Sequence, residues 1–112
     1  MATTAEIEDF LSEFAEIIER SGLNIWSRKK NDDFLLESGF TNSDVEWIVK
    51  TLKPGHYIKG PENDDKPYRP DGEVWKFGRE YGGFELYIKL KKTQDHQLLA
   101  ECMSAHEAEF PF

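Results

Sequence analysis

Apolar residues recur at three- and four-residue spacing from Ile7 through Phe10, Leu11, Phe14, Ile17 and Ile18, which predicts an amphipathic helix. Thr3 and Glu6 form a capping box ahead of it and Gly22 supplies a stop. Its outer positions, Glu8, Asp9, Glu13, Glu16 and Glu19, read as a solvated face or as a dock for a basic partner protein. A linker, LNIWSRKKN, then carries Trp26 with Arg28, Lys29 and Lys30, a cluster too small to serve unaided as a nucleic-acid arm. From Asn31 a short helix places Phe34, Leu35 and Leu36 on a partly buried surface and ends at Gly39. Thr41 with Asp44 opens a third helix with Val45, Ile48, Val49 and Leu52 as its inner stripe, Trp47 at the edge, and Pro54-Gly55 as its close. Two short helices around a glycine turn suggest a DNA reader, but the exposed Glu46 and Lys50 are a poor set for base edges.

The period then changes to two. Tyr57 and Ile58 begin an edge strand, and Gly60-Pro61 with Lys66 to Gly72 form a loop punctuated by Pro and Gly. In EVWKFGREYGGFELYIKLKK, residues 73–92, two aromatic and β-branched runs flank Gly82-Gly83, the signature of a hairpin with a type I′ turn. A two-glycine loop fixes the register: Tyr81 opposite Phe84, Gly78 opposite Tyr87, Lys76 opposite Lys89 and Trp75 opposite Leu90. One face collects Trp75, Phe77, Tyr81, Phe84, Leu86, Ile88 and Leu90, with Arg79 as its only charge. The other sets Lys76, Lys89 and Lys91 around Tyr87 and Gly78. Residues 93–96 turn the chain into a last strand, QLLAECMSAH. Helices followed by a β-meander predict a single α+β domain over residues 1–112, with helices on one face of an antiparallel sheet and the opposite face open.

Composition narrows the function classes. At 112 residues and a net charge of −8 the chain is one domain, unsuited to coating nucleic acid nonspecifically, although local basic patches remain open to it. The single Cys102 excludes an intrachain disulfide framework and reads as a small buried residue. No zinc spacing occurs, His56 and His96 read as surface histidines, and neither a metal nor another cofactor is expected. No apolar run approaches membrane-spanning length and the first residues are acidic, so a soluble cytoplasmic protein is expected. The opposed lysines are either guards on a solvated sheet face or an anion site.

Four blocks in order, GHYIKGPENDD, EVWKFGRE, ELYIKL and MSAHEAEFPF, together with the two-helix segment that follows RKKN, resemble the MqsR (motility quorum-sensing regulator) family of type II toxins. The resemblance spans residues 28–112, with residues 1–22 as an N-terminal helix extension. It implies a RelE-like fold, a metal-independent mRNA endoribonuclease, and a cognate antitoxin protein as partner. Carried over residue by residue, it implies a catalytic set of Lys59, Lys76, Tyr87 and His106. The type member has glutamine at the position of Lys76 and lysine at that of His106, and the longer relatives often have phenylalanine at that of Ala105. A catalytically silent domain of the same fold, binding a protein partner, is the alternative.

Metal-free cleavage of RNA needs a base for the ribose 2′-hydroxyl, an acid for the leaving oxygen, and cations for the charge that builds on phosphate. His106 and Tyr87 suit the proton transfers and Lys59, Lys76 and Lys89 the charge, with Lys89, Arg79 and Lys91 expected to hold the RNA. His106 reads equally as a structural histidine bonded to Glu107 or Glu109. The turn leaves the last strand's register open, and setting Glu101 against Lys89 turns His106 toward the core unless a bulge intervenes.

Overall fold

The computed structural model describes residues 1–64 and 66–109; the last three residues of the family-like C-terminal block and Asp65 lie outside that set. Helices α1 (Thr4–Ser21), α2 (Lys29–Ser38) and α3 (Asn42–Lys50) pack against a sheet of β1 (Leu23–Ile25), β2 (Tyr57–Asn63), β3 (Gly72–Tyr81), β4 (Phe84–Asp95) and β5 (Gln97–Glu107). The strand order is β1-β5-β4-β3-β2. The fold class is α+β, as the pattern of periods predicts, but the sheet is mixed. The stretch expected to be pure linker contains β1, which pairs parallel to β5 with Leu23 beside Ala100 and Ile25 beside Cys102. Three residues offer too short a run for a periodic signal. None of the helices is long and apolar enough to cross a membrane, among the described residues.

Both expected capping boxes are present, Thr3 with Glu6 on α1 and Thr41 with Asp44 on α3. The apolar stripe of α1 lies on the sheet, with Phe10 stacked on Trp75 at 4.4 Å between centroids and Phe14, Ile17 and Phe77 at most 1% exposed. Each such side chain contributes about 1.5–3 kcal/mol by leaving water. The hairpin follows the register that its glycines dictate, Tyr81↔Phe84 through Trp75↔Leu90, with Gly82 at φ 59° and Gly83 at φ 87°. Both angles lie where a Cβ is strained, and the turn's twist matches that of the strands.

The sheet's second face is open over only half its length. At the end near Gly72 it is closed by Asp64 and by residues 66–71. Lys91, 1% exposed, donates from Nζ to Asp64 Oδ2 at 2.8 Å and to the Pro70 carbonyl at 2.7 Å, and Val74, Thr93 and Met103 are buried beside it. Burial alone would raise the Asp64 carboxyl, but the hydrogen bond and charge of Lys91, the Lys66 amide and Arg69 outweigh it and hold Asp64 below its ordinary value. Lys91, expected to face RNA, is therefore a structural cation beneath a loop.

Candidate functional site

The uncovered half of that face is organised by pairs that the hairpin alone dictates. Lys76↔Lys89 and Gly78↔Tyr87 stand side by side, turned away from the helices. The last strand completes the group through a bulge. Lys91 pairs with Glu101 and Leu90 with Cys102, but Lys89 then pairs with Ser104, so Met103 is the inserted residue. A one-residue insertion reverses which side chains face the core. Beyond it Tyr87 pairs with His106, and their rings lie 5.6 Å apart between centroids.

Asn31, 1% exposed, holds the bulge in place. Its Nδ2 donates to the Trp26 carbonyl at 2.9 Å and the Met103 carbonyl at 3.1 Å, while its Oδ1 accepts from the Ala105 amide at 3.0 Å. The side chain thus continues the backbone ladder that β1 begins. It also brings the start of α2, with Arg28 and Lys30, to the rim of the sheet face. A cavity of about 870 Å³ opens there, lined by Arg28, Lys30, Tyr87, Lys89, Ser104 and His106 among others.

The cations in this region are not equivalent. Lys76 and Lys59 share Glu62, at 3.2 Å and 3.4 Å, and the hydrogen bond from Lys76 leads in holding the Glu62 carboxyl below its usual range. Lys30 is paired with Glu109. Among the described residues no carboxylate comes within 4.0 Å of the Lys89 ammonium. Burial first, then the charges of Lys76, Arg28 and Arg69, push the Lys89 pKa down, with Asp64 opposing. A half-buried ammonium among like charges is an arrangement that an anion relieves. His106 Nδ1 lies 3.0 Å from the Glu107 carbonyl oxygen. A carbonyl only accepts, so in the neutral ring this contact sets the proton on Nδ1 and the lone pair on Nε2.

The structure therefore gathers Lys76, Lys89, Tyr87 and His106 on one surface, with Lys59 beside Lys76 on the neighbouring strand. It does not bring Arg79 or Lys91 there. Arg79 faces the helices, donating to the Ile48 carbonyl at 2.9 Å and to Thr51 Oγ1 at 2.7 Å, and so ties down the end of α3. Lys91 is buried under the loop. His56, expected at the surface, is half-buried, and its Nδ1 accepts from the Lys53 amide. Cys102 is fully buried as expected, and burial pushes its thiol up to about 12. Sequence reasoning noticed Arg28 and Lys30 without placing them and missed Asn31, Arg69 and Ser104. A lone asparagine between a basic run and an apolar helix face was the available signal. No group of three or more His, Cys, Asp or Glu side chains is close enough to hold a metal ion, among the described residues. Compared with known proteins, the chain matches no family model, no curated protein and no solved structure.

Proposed function

We propose that this chain is a metal-independent endoribonuclease with a RelE-like fold, a cytoplasmic toxin similar to MqsR that cuts mRNA and is restrained by a cognate antitoxin. The observation that carries this reading is the pairing of Tyr87 with His106 beside the uncompensated ammonium of Lys89. A phosphodiester seated on Lys89, with Lys76 and Lys59 flanking it, has its negative charge met by fixed cations that need no reorganisation as more charge develops. The His106 Nε2 lone pair takes the ribose 2′-hydroxyl proton. The freed oxygen attacks the adjacent phosphorus while the bond to the 5′-oxygen breaks, and the Tyr87 phenol supplies the proton to that leaving oxygen. The products are a 2′,3′-cyclic phosphate and a free 5′-hydroxyl.

Glu62 fits this scheme as an internal counter-ion. It holds Lys59 and Lys76 until phosphate competes for them. The test is cleavage of a single-stranded RNA by the purified chain in excess chelator, with product ends identified by mass. His106→Ala and Tyr87→Phe are each expected to lose about 10²–10⁴ in rate, the span of general acid–base catalysis. Cleavage unchanged by both substitutions, or cutting of a strand lacking the 2′-hydroxyl, overturns the assignment. Growth arrest on expression, relieved by a co-expressed neighbouring gene, tests the toxin and antitoxin parts.

A further inference from the structure

Lys89 lines a second cavity. On its other side a space of about 180 Å³ is walled by Asn63, Lys66, Arg69 and Met103 together with Glu62 and Asp64. Both carboxylates are already engaged, Glu62 by Lys59 and Lys76 and Asp64 by Lys91 and Arg69. The groove that runs through Lys89 is therefore cationic along its length, although the chain as a whole carries −8.

Arg69, in the wall of this second cavity, also belongs to a row of stacked side chains. The Arg28 guanidinium lies 4.8 Å from the Trp26 ring centroid, and that of Arg69 lies 4.9 Å from the same indole and 5.3 Å from the Tyr68 ring. Trp26 is fixed by its Nε1, which donates to Glu101 at 3.2 Å, and the Lys91–Asp64 pair fixes the loop that carries Arg69. Tyr68 ends the row and is 76% exposed. A tyrosine so exposed adds little to the core. An exposed ring backed by a guanidinium does offer a face on which any base can stack.

Resting on the nuclease reading above, we infer that the second cavity and the Tyr68 ledge form a distal subsite for single-stranded RNA. A base beyond the two that flank the scissile phosphate stacks on Tyr68, and its phosphate lies against Arg69 and Lys66. The groove then reads length rather than sequence, because aromatic stacking and phosphate contacts discriminate weakly among bases.

The whole 112-residue chain is titrated with a 2′-O-methyl RNA of about ten nucleotides, which cannot be cut, and with the matching dinucleotide. The longer strand binds about tenfold tighter or better, and Tyr68→Ala costs it about fivefold or more while leaving dinucleotide binding unchanged. Lys66→Gln lowers the salt slope of the longer strand by about 0.7. Equal affinity for both lengths, or Tyr68→Ala behaving as wild type, overturns the subsite. If the 2′-O-methyl strand binds and Tyr68→Ala weakens it while the ribose form is never cut, the subsite stands and the nuclease reading falls. If both lengths are cut equally well by the wild-type and Tyr68→Ala chains, the nuclease reading stands and the subsite falls.

Discussion

Lys89 is where stability and binding oppose each other. Its pKa in the folded chain lies below the ordinary lysine value, because burial and then Lys76 disfavour the ammonium. A base whose folded pKa is depressed binds fewer protons folded than unfolded in the window between the two values, so stability rises with pH there. Below that window both states are protonated and the full penalty remains. Lys89→Met is thus expected to raise Tm at neutral pH by about 2–4 °C, small because the side chain keeps contact with water, while weakening anion binding. In Lys76→Gln the Lys89 ammonium signal, followed by NMR, should titrate at higher pH than in wild type. A lower Tm in Lys89→Met, or a Lys89 titration unmoved by Lys76→Gln, contradicts this account.

Among the elements, the hairpin and β5 differ in what fixes them. Gly82 and Gly83 set the β3–β4 register through backbone angles of their own, so Lys76, Lys89 and Tyr87 were legible from a few adjacent residues. The helices were legible because their caps and apolar stripes are equally local. The parity of His106 was not, since the bulge at Met103 is held by Asn31 from 72 residues away and no spacing rule reaches that far. Lys91 was misjudged for a similar reason: its partner Asp64 belongs to a loop with no periodic signal. Asn31→Ala leaves buried backbone groups at Trp26, Met103 and Ala105 without partners, at about 1–3 kcal/mol each. The expected outcome is a Tm lower by at least about 10 °C and loss of the Tyr87–His106 ring contact in NMR spectra. A variant as stable as wild type would show that β5 holds its own register.

At the scale of the whole molecule, charge is segregated. Glu8, Asp9, Glu16 and Glu19 are exposed on α1, which covers the helix side of the sheet, whereas Lys59, Lys76, Lys89 and His106 face the other way. The smallest dimension is 26 Å. At physiological ionic strength screening acts over about 8 Å, so the acidic face is not felt at the site; at about 0.01 M salt the range grows to about 30 Å and it is. RNA affinity should fall with salt above about 0.1 M, with a log–log slope of about −2 to −3 for three or four phosphate contacts, and flatten near 0.01 M. Neutralising Glu8, Asp9 and Glu16 should raise affinity at the lower salt and leave it unchanged at the higher, as read by anisotropy. The insertion at Met103 has a consequence in the gene as well. Loss of that single codon, in frame, would merely make the ladder regular and leave the imidazole opposite the phenol, whereas gain of one codon between Ser104 and His106 would swing the imidazole to the far side of the strand with every side chain of the group still encoded.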